Sequence, residues 1–344
     1  MIRKGSRRLT LDIHCHVHTP AADELVKDVL TQDVDPLFKF AGERTRAVNL
    51  QQAIDIQDRI TRIEPRLAAM DEMGIDVQAL SVAPPQYFYW ADADIGRAAT
   101  RLINDNIASI VARHPERFVG LGHLPMQSPR LALEELEHCA KELGMRGVEL
   151  CTNVNGQELA EPQFEPVFAR LEALGMVVFL HPGGFTQGER LRDHYLNNVI
   201  GNPLESTIAV SHLVFGGVLE RHSRLKIVVA HGGGFAGSYP FRMDHAWRAR
   251  PDCRVHIRRK PSDYLRRLYF DTIMFDPRAL GYLIELWGPD HLLLGTDYPY
   301  DMGDYDPLGA IGCVKKLTAA DRDAIAGGNA ARLLGIRRRA ARKK

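Results

Sequence analysis

The sequence predicts a (β/α)8 barrel, an α/β fold in which each of eight parallel strands precedes a helix. Eight short aliphatic runs, bounded by Gly, Pro or polar residues, alternate with segments whose apolar residues recur every three or four positions. The runs are apolar throughout, as expected for parallel strands that are buried on both faces. Eight repeats is the number that closes such a barrel, and a doubly wound open sheet is the alternative.

The predicted strands open the repeats and the predicted helices follow them. The strands cover residues 9–17, 77–83, 118–124, 147–152, 177–181, 226–231, 269–275 and 292–297. The amphipathic helices cover residues 94–114, 128–143, 163–174, 204–221 and 277–287. Because the repeats extend along almost the whole chain, residues 1–344 are interpreted as one domain.

Two segments depart from the alternation of strands and helices. Residues 19–64 separate the first two strands by more than one helix requires. We therefore expect an insertion that folds over the C-terminal mouth of the barrel, where the active-site loops lie. Residues 318–334 predict a closing helix with Thr318 as its N-cap and Gly335 as its C-cap.

The composition is that of an ordinary globular protein, with 45% apolar and 25% charged residues. No uninterrupted apolar window of about 18 residues occurs, so no membrane helix is expected. The N-terminus lacks the pattern of a secretory signal, which makes the cytoplasm the expected location. The five cysteines are scattered without a CxxC pair, so neither a disulfide framework nor a cysteine zinc site is expected.

Charge is distributed unevenly along the chain. The formal net charge is +1, but residues 1–8 carry four positive charges and residues 337–344 carry six, which leaves −9 for the rest. An acidic body argues against a nucleic-acid-binding surface. The basic C-terminus is interpreted as a solvated tail.

A histidine pair stands near the end of the first predicted strand. His14 and His16 are two residues apart, so the strand period of two places both imidazoles on one face. Cys15 and Val17 then point to the other face, towards the helices. With Asp12 before them, two histidines at the C-terminal end of a barrel strand suit chelation of one divalent ion.

Three further strands also end in residues that ligate metals. The fifth ends at His181, the sixth at His231 and the eighth at Asp297. In a parallel barrel all of these ends converge on one mouth. Three neutral imidazoles and one carboxylate suit Zn²⁺ best, with Mn²⁺ as the alternative.

A glycine run follows His231 and allows the backbone to pass close to a ligand or to make a tight turn. The run lacks the GxGxxG spacing of a dinucleotide loop, and the sequence contains no P-loop and no GxSxG elbow. These absences argue against a nicotinamide-dependent or ATP-dependent enzyme.

Six motifs together carry a resemblance to a known family. They are DIHCH (12–16), HPGG (181–184), AHGGG (230–234), RMDHAWRARPD (242–252), GTDYP (295–299) and GGNAARLLG (327–335). The chain resembles the amidohydrolase superfamily, specifically the branch of aminocarboxymuconate-semialdehyde decarboxylase and related aromatic-acid decarboxylases. The resemblance extends from the first strand to the last helix and is weakest over residues 19–64.

The resemblance implies a role for each matching histidine and aspartate. His14, His16, His181 and Asp297 match the ligands of one metal ion, and Asp297 is also counted among the catalytic residues. His231 matches the histidine that lies beside the metal and handles the proton of its bound water.

The resemblance also implies arginines for the substrate carboxylate. Arg242 and Arg250 match two of them, one of which reaches across a homodimer interface. A further arginine of the insertion contacts substrate in this branch. Arg46 and Arg44 are the candidates for it, and the sequence does not choose between them.

Several positions depart from the family pattern or stay open. HPGG stands where the name-giving decarboxylase has HPW, so an aromatic wall of that pocket is missing. The fourth strand has no lysine, which argues against the carbamate-bridged two-metal form. Glu149 is either a further ligand or a carboxylate paired within the barrel. His18 is either a lid or substrate residue or a solvated loop histidine.

The expected function is non-oxidative decarboxylation of an aromatic or muconate-type acid by a single-metal homodimer with a shared active site. The expected partner is this small carboxylic acid, with neither nucleic acid nor membrane. One alternative is hydrolysis or hydration of an amide, lactone or ring-cleavage product at the same site. Another is a non-catalytic metal- or RNA-binding protein, against which His231 argues, because a pure binding site needs no base beside the metal.

Overall fold

A computed structural model describes residues 9–30 and 34–336 of the chain as a (β/α)8 barrel, so the predicted fold class is confirmed. Its strands pair in parallel in chain order. They are β1 (Leu11–Val17), β2 (Val77–Val82), β3 (Phe118–His123), β4 (Gly147–Cys151), β5 (Val177–His181), β6 (Lys226–Val229), β7 (Tyr269–Asp271) and β8 (Leu292–Leu293). A short hairpin of Asn153–Val154 and Gln157–Glu158 follows β4.

Backbone hydrogen bonds join the segment that follows β8 to β1. Ile13 N donates to Leu294 O at 2.9 Å, and His16 N donates to Tyr298 O at 2.9 Å. The barrel is therefore nearly closed, which excludes the doubly wound alternative.

Helices surround the barrel in the predicted order. Those of the repeats are Ile63–Met73, Ala93–Arg113, Pro129–Lys141, Glu165–Leu174, Asn202–Phe215, Val218–Arg221 and Pro277–Trp287. Shorter helices are Gly234–Ser238, Phe241–Ala249, Pro261–Leu265 and Pro307–Cys313. The segment predicted as one helix over 204–221 is two, because Gly217 adopts a left-handed φ of 75° at the break. Among the described residues, no helix combines the length and apolarity needed to cross a membrane.

The first strand contains an irregularity that the strand period alone does not predict. Its pairing with β2 shifts register between Asp12 and Cys15. As a result Ile13 packs among the residues inside the barrel, while Cys15 and Val17 pack in the layer between strands and helices, as predicted. The shift lets His14 and His16 point inwards above the apolar interior.

The last three strands are shorter than predicted, because the chain leaves the sheet to form the site. His231 and Asp297 follow β6 and β8 with left-handed φ values of 55° and 58°. Such a conformation is uncommon for residues with a side chain and is held by surrounding contacts.

The insertion consists of helices Pro20–Val26, Pro36–Lys39 and Glu43–Thr61. Ile56 and Ile60 on the longest of them pack against Ala83, which follows β2, and against Tyr300, which follows β8. These contacts are with residues at the C-terminal end of the barrel. The next helix, Ile63–Met73, belongs to the barrel repeat, so the insertion ends close to the predicted boundary.

The C-terminal helix closes the opposite end of the barrel. Thr318 caps it in a reciprocal arrangement with Asp321, so the predicted N-cap is confirmed. The C-cap is Leu334 rather than Gly335, which follows it with a left-handed φ of 66°. The segment consists of an α-helix at Ala319–Asp323, a π-helical turn at Ala324–Gly328 and an α-helix at Asn329–Leu333. A Cβ at Gly327 would lie 2.3 Å from Leu9 O, so only glycine permits this approach. The basic segments 1–8 and 337–344 lie outside the described residues.

Candidate metal centre and active site

Four predicted residues meet at the mouth of the barrel. In the part of the chain that the structure describes, His14, His16, His181 and Asp297 form a group whose ligand atoms all lie within 4.8 Å of one another. All four are buried. They come from β1, the end of β5 and the segment after β8, which confirms that these strand ends converge.

The spacing of three ligand atoms fits a first-row divalent ion. His14 Nε2 and His16 Nε2 are 3.2 Å apart, and Asp297 Oδ1 lies 3.4 Å and 3.3 Å from them. Tetrahedral coordination with zinc–nitrogen bonds of about 2.0–2.1 Å places ligand atoms roughly 3.3 Å apart. The buried His181 Nε2 has no hydrogen-bond partner among the described residues. A cation bound among these atoms would satisfy that nitrogen.

Two of the ligand histidines have their other ring nitrogen bound to an acceptor. His14 Nδ1 lies 2.7 Å from Asp271 Oδ2, and His16 Nδ1 lies 2.8 Å from Val82 O. Each contact requires the proton on Nδ1 and leaves Nε2 free to ligate a metal.

Asp271, at the end of β7, is a site residue that the sequence analysis did not single out. Besides His14, it accepts hydrogen bonds from the backbone N–H groups of His231 and Gly232, both at 2.8 Å. One carboxylate thereby fixes a ligand ring and the turn that carries His231. The sequence did offer one signal, since Asp271 is a polar residue at the end of an aliphatic run. It was missed because no neighbouring residue forms a recognisable motif with Asp271.

Asp12 holds the backbone on both sides of the ligand group by hydrogen bonds. Its carboxylate accepts hydrogen bonds from His14 N at 3.0 Å, Thr296 N at 3.1 Å and Thr296 Oγ1 at 2.7 Å. Gln78 Nε2 donates to it at 2.9 Å, and the buried Arg66 in turn donates to Gln78. Asp12 therefore connects β1 to the segment that carries Asp297.

Burial and neighbouring charges set the protonation of the ligands. Burial, followed by the neighbouring imidazoles, lowers the pKa of His181 well below its ordinary value. Burial also lowers the pKa of His14, but Asp297 and Asp271 outweigh it and raise the value to about 10. Burial raises the pKa of Asp297, but His14 and His16 bring it well below its ordinary value. An ionised Asp297 and a neutral His181 are the states that ligate a cation, whereas a bound cation has to displace the Nε2 proton of His14.

His231 lies beside the ligand group and outside it. Its Nε2 is 3.7 Å from Asp297 Oδ2, and its ring centre is 5.1 Å from that of His181. The side chain is 17% exposed. His231 is therefore adjacent to the ligand group and partly accessible to solvent, and its role as a proton carrier stays a prediction.

Glu149, on β4, lies outside the four-residue group. Its Oε1 accepts a hydrogen bond from Tyr87 OH at 2.6 Å, and its Oε2 lies 3.8 Å from His16 Nδ1. Burial raises the pKa of this carboxyl. Of the two interpretations left open by the sequence, the geometry favours a carboxyl paired within the barrel.

The structure does not bring the predicted substrate arginines to the ligand group within one chain. Arg242 is exposed, and Arg250 is exposed and paired with Asp252 at 3.1 Å. Of the two insertion candidates, Arg44 is exposed, whereas Arg46 is partly buried and its Nε has no partner among the described residues. The structure therefore favours Arg46 over Arg44 for a ligand contact.

His18 differs from one of its two expected forms, and its role as a lid or substrate residue stays a prediction. Its side chain is 25% exposed, and its Nε2 forms a hydrogen bond with Asp23. The expectation of a solvated loop histidine is therefore wrong, because the insertion helix Pro20–Val26 supplies a partner.

A cavity of about 290 Å³ lies beside Tyr87, between the insertion and the ends of β2, β4 and β5. This volume is close to the lower end of the roughly 300–1,000 Å³ that small-molecule pockets occupy. Aromatic residues 87–90 form one wall, and Lys39 is the cation among the lining residues. Asp35 also lines the cavity, so the aromatic wall suits a planar molecule and the charged lining groups are of both signs.

Comparison with known proteins agrees with this architecture. The amidohydrolase family profile matches residues 11–336. The chain is 36% identical over 275 residues to the 2-amino-3-carboxymuconate-6-semialdehyde decarboxylase of Dictyostelium discoideum, an alignment that covers 79% of this chain and 76% of that protein.

Two solved structures are also similar. The 5-carboxyvanillate decarboxylase LigW from Sphingomonas paucimobilis has a TM-score of 0.86 and 28% identity, covering 96% of this chain and 99% of that one. The dihydroxybenzoic acid decarboxylase from Polaromonas sp., with bound manganese and the inhibitor 2-nitroresorcinol, has a TM-score of 0.81 and 26% identity. The match covers 97% of this chain and 98% of that one. This chain belongs to the amidohydrolase family, in its aminocarboxymuconate-semialdehyde decarboxylase-like branch.

Proposed function

We propose that the protein is a metal-dependent, non-oxidative decarboxylase of an aromatic or muconate-type carboxylic acid. The observation that carries the proposal is the buried group of three imidazoles and one carboxylate with His231 beside it. The three similar proteins reported above are decarboxylases by name, which favours this reaction over hydrolysis or hydration at the same site.

His14, His16, His181 and Asp297 would hold the divalent ion. When bound, the ion supplies a positive charge that orients the substrate acid and stabilises negative charge that develops on its oxygens. The donor set fits zinc, while the manganese in the Polaromonas neighbour supports Mn²⁺ as the alternative. We propose one ion per chain, since the fourth strand supplies no bridging lysine.

His231 is proposed as the proton carrier of the reaction. Decarboxylation breaks the bond between the carboxylate carbon and the carbon that carries it. The electron pair stays on that second carbon, which takes up a proton as carbon dioxide departs. His231, partly exposed to the mouth, would deliver that proton and be reprotonated from solvent. Asp297 keeps the imidazole close by the 3.7 Å contact and is counted with it as catalytic.

Arg46, Arg242 and Arg250 are proposed to bind the substrate acid, since a guanidinium offers two parallel charge-assisted hydrogen bonds to a carboxylate. Arg242 and Arg250 are exposed on their own chain, and this exposure supports a site shared between the subunits of a homodimer. The segment before Arg242 exposes Phe235, Tyr239 and Phe241 by 47%, 64% and 52%. Such an apolar patch is typical of an interface.

The insertion 19–64 is proposed as the lid of the site. Its packing on Ala83 and Tyr300 and its part in the cavity wall support this role. A lid would exclude water while the carbon–carbon bond breaks.

The reaction is tested by incubating Zn²⁺- or Mn²⁺-loaded protein with hydroxybenzoates, carboxyvanillate-like acids and muconate semialdehydes. We expect carbon dioxide release together with a change in ring absorbance for at least one acid. The same preparation is offered amides and lactones, and turnover of these without carbon dioxide release from any acid would establish the hydrolase alternative.

The shared site makes a separate prediction. Arg250→Ala and His231→Ala chains should each be inactive, and mixed dimers should regain up to about a quarter to a half of wild-type activity from one intact site per dimer. Subunit exchange is verified with two affinity tags. Full activity of Arg250→Ala, or exchange without recovery, would contradict the shared site.

A further inference from the structure

His181 differs from the other two ligand histidines in the partner of its second ring nitrogen. His14 and His16 face a carboxylate and a carbonyl, which only accept hydrogen bonds. His181 Nδ1 faces Tyr87 OH at 3.1 Å. A hydroxyl either donates or accepts, so by itself it does not determine which nitrogen of His181 carries the proton.

Glu149 removes this ambiguity. With Glu149 ionised, the carboxylate only accepts, so the 2.6 Å contact between Tyr87 OH and Glu149 Oε1 uses the hydroxyl proton of Tyr87. The hydroxyl oxygen is then left as an acceptor towards His181, which places the imidazole proton on Nδ1. His181 Nε2, which has no partner among the residues described, is thereby left with its lone pair free.

Packing fixes the position of the Tyr87 hydroxyl. The Tyr87 ring stacks on His123 and Tyr89, with ring centres 5.4 Å and 5.9 Å apart. On another side it lies against Gly183, where a Cβ would approach the ring carbons to 3.3 Å. This contact gives a physical reason for HPGG in this chain, since a larger side chain at position 183 would crowd the tyrosine.

We propose that Tyr87, oriented by Glu149, is a positioning residue that sets the tautomer of His181 and so raises metal affinity. The inference rests on the proposed metal site. It assigns to Tyr87 an action through His181 and no contact with the reacting atoms. Partners of this kind typically change metal affinity by about 10–100-fold.

The test compares Tyr87→Phe with Tyr89→Phe. Both variants remove one buried hydroxyl from the same stack, but Tyr89 OH makes only a long 3.5 Å contact with Cys151 N. Titration of the metal-free proteins with Co²⁺, followed by its visible absorption, should show a loss of affinity of about 10–100-fold for Tyr87→Phe and less than about threefold for Tyr89→Phe.

A second measurement reads the tautomer without any metal. In histidine-labelled apoprotein, nitrogen NMR should show His181 protonated on Nδ1 in wild type and as a tautomer mixture in Tyr87→Phe, with the signal assigned by its loss in His181→Ala. Equal Co²⁺ affinity of Tyr87→Phe and wild type, or an unchanged tautomer, would overturn this inference alone. Failure of the wild-type protein to bind Co²⁺ would overturn the proposed metal site as well.

Discussion

Replacing His181 with alanine is expected to abolish metal retention and with it all decarboxylase activity. The variant removes a nitrogen that is buried and has no other partner in the described structure, leaving three ligands and a void. The loss of metal affinity should exceed the roughly 10–100-fold loss that follows removal of a residue that only hydrogen-bonds to a metal ligand. Elemental analysis after gel filtration measures it, with close to one ion per wild-type chain.

Cys15→Ser is the matched control for this variant. Cys15 lies between His14 and His16 in the sequence, yet it packs in the layer between strands and helices and contacts Ala79 O at 3.3 Å. We expect its metal content to equal that of wild type. Two ions per wild-type chain, or full metal content in His181→Ala, would contradict the four-residue site.

Replacing His231 with asparagine is expected to lower kcat by about a hundredfold to ten-thousandfold, the range typical of a general acid–base group. Metal content should stay at the wild-type level, because His231 lies outside the ligand group and its nearest contact to Asp297 is 3.7 Å. Activity and metal content are measured on the same preparation. Loss of the metal together with activity would make His231 a ligand and the proton-transfer assignment wrong.

The strand ends were predictable from the sequence because position in a parallel barrel fixes geometry. Once β1, β5 and the segment after β8 are assigned, His14, His181 and Asp297 must approach one another. The spacing of a single motif also predicted that Cys15 points away. Each of these inferences depends on strand direction and pleat alone.

The supporting partners were not predictable in the same way. Asp271 and Tyr87 act through contacts that connect residues 257 and 94 positions apart. Their roles depend on side-chain directions that neither periodicity nor spacing encodes. The register shift in β1 is another example, since a strict period of two does not place both Ile13 and His14 inside.

The contact between the first and last strands also concerns how the chain comes to be folded. During synthesis the free side of β1 is an unpaired strand edge, and such edges invite association with other chains. This edge of β1 stays unpaired until residues 292–298 have been synthesised. The backbone carbonyls of Leu294 and Tyr298 then accept hydrogen bonds from the N–H groups of Ile13 and His16. Because His14 and Asp297 stand on opposite sides of this junction, an ion bound between them fastens the two ends of the chain together from within. Binding of the ion would therefore stabilise the closed barrel against opening at this junction, because only the folded chain brings these ligands together.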